Sequence, residues 1–369
     1  MKILLLGEYS NVHATLADGL RHLGHQVTVA SNGDFWKNYP RDISLARNPG
    51  KFGGAGLMLK LYALLPLFRG YDVVQLINPM FVELKAGRIF PIYRYLRRHN
   101  GKVFLGGYGM DWYWVNTCIS EKHLDYSDFN IGAELRTNAD ALKERQDWIG
   151  TAKERLNKHI AADCDGIVAG LFEYWSCYSR YFPQKTAFIP FPIKVPEKAR
   201  RDFSFTGYPV KVFIGINKSR SEYKGTDIML EAARDVASKH PGKMSIIKAE
   251  SVPFAEYQKL MEGCDAILDQ LYSYTPAMNS LLAMSKGIVC IGGGEEENYE
   301  IINENALRPI INVRPCYQSV YDELERLILH PEVIPDLKRQ SVSYVEKHHD
   351  YIKVARQYES LYNGKAGTR

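Results

Sequence analysis

Short apolar runs recur through this chain with helix-spaced stretches between them, and that alternation restricts it to few architectures. Residues 2–7 form a near-continuous apolar run, of the kind buried on both faces of a parallel sheet. A helix is predicted over 11–23, with Leu16, Leu20 and Leu23 on one stripe and Gly24 as its stop. The next strand is 26–30. Strand, helix and strand in that order call for a right-handed crossover and parallel pairing. Similar strands follow at 73–77, 103–105, 166–169 and 187–190. Residues 193–209, charged and bounded by prolines, suit an exposed linker. Beyond it the rhythm restarts, with strands at 211–216, 244–248, 266–271, 288–291 and 309–313. Helices are predicted at 226–237, 253–262, 278–286, 295–303 and 318–329. The chain is therefore expected to be α/β, with two doubly wound parallel-sheet domains at 1–195 and 196–340. A helical tail at 341–369 is expected to pack back on the first. Such domains bind ligands outside the carboxyl ends of their strands, so two in tandem are expected to face each other across a cleft.

At 369 residues the chain is too long for one compact core, and with 46% hydrophobic and 24% charged residues it can build two. It has no run of about 20 uncharged apolar residues, so no transmembrane helix is expected. The opening MKILLLGEYS reads as a strand, its apolar run being too short for a signal peptide. Six scattered cysteines without a CxxC pair indicate reduced thiols in a cytoplasmic protein and no structural metal. Net charge is +5, but residues 1–100 hold 13 Lys/Arg against 6 Asp/Glu. That bias would draw the N-terminal domain to anionic lipid at the inner face of the cell membrane or to a phosphate-bearing acceptor; a solvated basic face is the plain alternative. No nucleic-acid motif accompanies the charge, so nucleic acid is not expected as a partner.

Some stretches break the rhythm. Residues 32–56, rich in Gly, Asn and Pro, read as a long functional loop. Residues 57–68 (LMLKLYALLPLF) are expected to form a core helix, with a membrane-facing patch as the alternative. Residues 112–130 carry aromatics and acids without a period and read as a loop over a site. The stretch with most chemistry is 210–225, where an apolar strand ends in a turn holding Lys218, Arg220 and Lys224, just before a helix. Free backbone N–H groups and the helix dipole would make that turn a cradle for anions. Gly7 alone after the first strand does not make G-x-G-x-x-G, which argues against a nicotinamide site. No cofactor is expected.

Several local patterns together resemble the GT-B nucleotide-sugar glycosyltransferases, specifically the retaining glycosyltransferase family 4. They are Gly24-His25-Gln26-Val27, Asp163-Cys164-Asp165-Gly166-Ile167-Val168, Phe188-Ile189-Pro190, Lys224-Gly225 with Leu230-Glu231-Ala232-Ala233, and Ala283-Met284-Ser285-Lys286-Gly287-Ile288-Val289. The resemblance implies two Rossmann-like domains and a metal-independent transfer of a hexosyl or related group. The sugar would pass from a nucleoside diphosphate to a glycan or lipid-linked acceptor, in cell-surface polysaccharide or glycoconjugate synthesis. It implies that Arg220 and Lys224, with Lys218 in reserve, hold the donor diphosphate, where fixed cations would stabilise the charge growing on the leaving group. The family's acidic pair falls here on Tyr274 and Leu282, neither of which can accept as a carboxylate does. Asp269, or Glu295 and Glu296 after Gly293 and Gly294, are candidate replacements, and residues 272–275 would then line the sugar pocket. In the first domain, Ser10, Asn11 and His13 occupy the family's glycine-rich contact loop. Tyr108 and Asp111 occupy its HGxD motif, with Tyr108 in place of the histidine. Asp111 and His13 are the candidate catalytic residues; Ser10, Asn11 and Tyr108 are candidate acceptor contacts. Asp163-x-Asp165 is formally a DxD metal motif, but it abuts a buried strand and is expected to be structural. Two other functions remain compatible with the missing acidic pair: a nonenzymatic sugar-nucleotide-binding subunit, and a GT-B sugar-nucleotide epimerase.

Overall fold

A computed structural model describes residues 1–196, 203–217, 220–250 and 252–364. The chain divides into two compact units: unit 1 is Met1–Glu121, Lys143–Pro192 and the chain from Tyr351 on, and unit 2 is Lys122–Leu142 and Ile193–Asp350. The strands in chain order begin with β1 (Lys2–Leu6), β2 (Gln26–Ser31), β3 (Ile43–Ser44), β4 (Val73–Leu76) and β5 (Lys102–Gly107). Then come β6 (Asn130–Ile131), β7 (Glu134–Leu135), β8 (Gly166–Ala169) and β9 (Thr186–Phe188). The last five are β10 (Val210–Ile216), β11 (Met244–Glu250), β12 (Ala266–Leu268), β13 (Val289–Gly292) and β14 (Ile311–Asn312).

Unit 1 is built on a seven-stranded parallel sheet in the order β3-β2-β1-β4-β5-β8-β9. Strand β1 lies between β2 and β4, and Ile3 to Leu6 are buried, as an inner parallel strand requires. The C-terminal helix Tyr351–Tyr362 belongs to this unit. Its Tyr362 hydroxyl donates to Gln75 (3.2 Å), and Lys102 Nζ donates to the Tyr362 carbonyl (2.8 Å). Unit 2 has a five-stranded parallel sheet, β11-β10-β12-β13-β14. Its core joins Val212 and Ile214 to Met229 and Val236 of the Thr226–Lys239 helix and to Val320 and Leu324 of the Tyr317–Leu329 helix.

The structure departs from the sequence expectations in four places. The helix Gly53–Leu64, continued by a 3-10 turn Leu65–Phe68, is not a core helix. It buries only the stripe through Leu57, Leu61 and Phe68 and leaves Leu59 69% exposed. Within 32–56, β3 pairs with the end of β2, so that stretch is partly sheet. Residues 122–142, counted with the first domain from their position in the chain, fold with unit 2. The helix Ile334–His348 also belongs to unit 2, so of the tail only the last helix is in unit 1. The Asp163-x-Asp165 pair ties a helix end to the sheet. Arg97 Nε reaches Asp163 (3.1 Å), its terminal nitrogen reaches Asp165 (2.7 Å), and Asp165 accepts from the Val103 N–H.

Candidate functional site

In unit 2 the candidate residues collect where parallel strands release their carboxyl ends. Beyond β10 and Asn217 the described chain resumes at Arg220 with a short helix, Ser221–Lys224, and Gly225 then starts the Thr226–Lys239 helix. Gly225 has φ +72°, and a Cβ there would come within 2.6 Å of Leu271, so only glycine closes this turn against the β12 loop. The Leu271 N–H donates to the Lys224 carbonyl (2.9 Å), which fixes Lys224 beside the end of β12. There Asp269 is pushed above its ordinary carboxyl range by burial and pulled partly back by the Lys224 ammonium. Lys224 and Asp269 thus share the strand ends, near enough for the ammonium to act on the carboxyl. Arg220 is exposed and lies over the Tyr223 ring, 4.9 Å from its centroid. Lys218 lies outside the described residues.

The glycine run closes the other side. A Cβ on Gly293 would lie 1.9 Å from the Ser273 carbonyl oxygen, so the 292–295 loop can touch the 272–275 loop only through glycine. The contact continues as Glu295 N–H donating to the Tyr274 carbonyl (3.1 Å), while Gly294 N–H donates to Asn312 Oδ1 (2.9 Å). Tyr274 and Glu295 are therefore brought together, both buried. Glu296 is not with them; it turns outward to Arg308 (3.3 Å).

The sequence did not point to the residues that cover these loops. In the 122–142 segment, Tyr126 donates to Glu295 Oε1 (2.7 Å) and packs its ring on Tyr274 with centroids 4.7 Å apart. The Asp125 N–H donates to the Tyr274 hydroxyl (2.8 Å), and burial pushes that phenol up to about 12. Arg136 lies flat over the Tyr272 ring, 3.4 Å from its centroid, and donates to the carbonyls of Glu222 and Tyr223. Arg314 adds a cation 3.5 Å from Glu295. The only sequence signal for this was the aperiodic, aromatic composition of 112–130.

In unit 1 the β1 loop and the β5 loop lie side by side, with the Tyr9 ring against Gly109. Ser10 and Asn11 adopt left-handed backbone, φ 51° and 73°, and the Ser10 N–H donates to Asp34. His13 is fully buried. Its Nδ1–H donates to the Gly7 carbonyl (2.8 Å), which leaves Nε2 as a bare acceptor; neither that atom nor Asn11 Oδ1 has a hydrogen-bond partner. Burial lowers the imidazole to about 3, so at neutral pH His13 can accept a hydroxyl hydrogen but is a weak base. Tyr108 and Asp111 are both buried and hydrogen-bonded within unit 1. The Tyr108 hydroxyl is engaged by Tyr358 in the C-terminal helix, so it does not offer that group to an acceptor. Asp111 caps the Trp112–Asn116 helix through the Trp114 N–H (2.9 Å) and accepts from Tyr178 (2.7 Å), and burial raises its carboxyl to about 6.

Glu8, unmarked by any sequence signal, occupies the N-terminus of the Val12–His22 helix. Its two oxygens accept from the N–H groups of His13 (3.1 Å) and Ala14 (2.8 Å). Burial, outweighing these bonds, raises its carboxyl to about 8. The folded chain therefore holds an extra proton between the ordinary carboxyl range and about pH 8, and the stability this contributes, complete in acid, is lost as pH rises. Melting temperature is expected to fall from about pH 5 to about pH 9. Glu8→Gln, which forfeits one cap acceptor at about 1 kcal/mol at every pH, should flatten that fall. Parallel profiles for the two proteins would refute the assignment.

No protein-family model matches the chain, and no curated protein matches it by sequence. By structure it is similar to sucrose-phosphate synthase from Thermosynechococcus elongatus, at TM-score 0.60 and 13% identity over 99% of each chain. It is similar to HepE of Anabaena in complex with UDP and glucose, at TM-score 0.60 and 12% identity over 99% of this chain and 100% of the other. A third such structure is the catalytic domain of Starch Synthase IV from Arabidopsis thaliana bound to ADP and acarbose, at TM-score 0.61 and 11% identity over 99% of each chain. These are GT-B glycosyltransferases. The fold is GT-B. At such identities the likeness carries the architecture, and chemistry has to rest on the residues described above.

Proposed function

We propose that this GT-B chain is a glycosyltransferase that binds a nucleoside diphosphate sugar at the carboxyl ends of β10, β12 and β13. The observation that carries this reading is the convergence of Lys224, Asp269, the Tyr272–Thr275 loop and the glycine-bound Glu295 in one place. The bond between the anomeric carbon and the diphosphate oxygen breaks as the acceptor hydroxyl oxygen bonds that carbon and passes its proton to the departing nucleoside diphosphate, on whose oxygen negative charge grows meanwhile. A fixed ammonium at Lys224, aided by Arg220 and the N-terminus of the 14-residue helix Thr226–Lys239, stabilises that charge more as it develops than before. The Tyr272–Thr275 loop, its rings covered by Arg136 and Tyr126, forms the wall behind the sugar, and Glu295 stands in for one of the carboxylates absent at Tyr274 and Leu282. Unit 1 supplies the acceptor side, with Ser10 and Asn11 as hydroxyl partners and the buried His13 behind them. The transferred group is a hexosyl or related sugar moved with retention, the acceptor is a glycan or lipid-linked saccharide, and no metal takes part.

A calorimetric and thermal-shift panel of UDP, GDP, dTDP, CDP and ADP tests this reading. One of them is expected to bind and to raise the melting temperature by several degrees at saturation. Failure of every nucleotide would overturn it. Binding of a nucleotide sugar without release of nucleoside diphosphate in the presence of any saccharide acceptor would favour the nonenzymatic subunit, and conversion of the donor with no acceptor would favour an epimerase.

A further inference from the structure

The Gly53–Leu64 helix is apolar nearly all round. Its one charged residue is Lys60, yet it lies on the surface of unit 1. A surface helix ordinarily presents a polar outer face, so an apolar outer face calls for something to cover it. At about 100° per residue, Phe52 and Leu59 lie opposite the buried Leu57 and Leu61, and Tyr62 lies at the border of that outer face. These three are 85%, 69% and 47% exposed, and Leu67 in the following turn is 55% exposed. Further exposed rings, Phe35 and Trp36, stand nearby: Phe35 and residues 47–50, just before the helix, line the same open groove of about 1140 Å³.

Charge identifies the cover. Between Asp42 and Asp72 the chain has no Asp or Glu, while Arg47, Lys51, Lys60 and Arg69 are all present and all exposed. Lys60 lies on the helix beside the apolar face, Lys51 just before the helix and Arg69 just after the 3-10 turn. Apolar side chains bordered by cations match a bilayer whose headgroups are anionic: the side chains enter the acyl boundary and the cations stay among the phosphates. A second copy of the chain fits worse, because a two-fold contact would bring the same four cations against themselves. No helix among the described residues is long and apolar enough to cross a membrane, so the contact is peripheral.

We propose that the outer face of Gly53–Leu64, with Phe52, Leu67 and the flanking cations, docks this protein on anionic membrane surfaces. The docking does not depend on the identity of the sugar donor. It is tested by co-sedimentation of the full chain with vesicles of phosphatidylcholine alone and of phosphatidylcholine with about a third phosphatidylglycerol. Binding is expected to the second only, and to weaken about tenfold or more between low and high salt as the cations are screened. The double variant Leu59→Asp/Leu67→Asp should lose sedimentation while its melting temperature stays that of the wild type, since both residues are exposed. Lys51→Glu/Lys60→Glu should lose it as well. The proposal is overturned if the wild type ignores anionic vesicles at low salt, or if the leucine variant binds them as the wild type does. It is also overturned if the wild type is a dimer that the leucine variant turns into a monomer, which would assign the face to a second copy.

Discussion

Lys224→Ala is expected to lower kcat/KM for the nucleotide sugar by about a hundredfold, close to 3 kcal/mol of lost transition-state stabilisation. Arg220→Ala should cost less, about tenfold, because its guanidinium is exposed and already held over Tyr223. The prediction for Lys224 needs a control, because its ammonium also favours the Asp269 carboxylate, and removing it leaves only Ser280 and Asn279 to offset that carboxyl's burial. If charge balance were the whole role of Lys224, the double variant Lys224→Ala/Asp269→Asn would recover wild-type activity. If the ammonium acts on the diphosphate, the double variant stays as poor as the single one while its melting temperature recovers. Steady-state kinetics and melting curves on the three proteins separate these outcomes. Recovery of activity in the double variant would remove Lys224 from the donor site.

The parts of this protein legible in its sequence are those with a local cause. Strands β1, β4, β8, β10 and β13 are short apolar runs buried on both faces, and such a run carries its own signal whatever it packs against. Lys224-Gly225 was legible for a similar reason, since a basic residue and a left-handed glycine ahead of a helix are sequence neighbours. The cover over Tyr272 and Tyr274 was not. Tyr126 meets Glu295 across 169 positions of chain, and Arg136 meets Tyr223 across 87, and neither pair leaves a period or spacing to read. The Gly53–Leu64 helix misled for a different reason: apolarity on all sides is shared by a core helix and by one awaiting an apolar partner, and only its position in the fold separates them. Asp111 and Tyr108 sit where a related motif would put functional groups, but their polar atoms are bound to Trp114, Tyr178 and Tyr358, partners that no motif names.

Gly293→Ala is expected to be the most damaging single methyl group in unit 2. The added carbon would lie 1.9 Å from the Ser273 carbonyl oxygen and 2.5 Å from its carbon, and both are backbone atoms with no rotamer to yield. The two loops would have to part, which breaks the Glu295-to-Tyr274 hydrogen bond and withdraws Glu295 from Tyr126. A cost of about 3 kcal/mol follows from overpacking of this kind, with a melting point lower by roughly 6–12 °C for a unit of this size. Donor binding should fall with it, by more than tenfold. The neighbouring glycines supply the scale. A Cβ on Gly292 would find its nearest atom at 3.4 Å, ordinary contact, so Gly292→Ala should be nearly silent. On Gly294 it would meet Ile310 Cγ2 at 2.6 Å and Cβ at 2.9 Å, a side chain that must shift but is not backbone, so Gly294→Ala should fall between the two. The order 292, 294, 293 in rising damage, read in melting temperature and nucleotide affinity together, tests whether the 272–275 and 292–295 loops are one unit in the donor site. If Gly293→Ala lowers stability and leaves nucleotide affinity intact, the loop contact holds the fold alone, and the donor must be bound by the Lys224 side of the strand ends without Glu295.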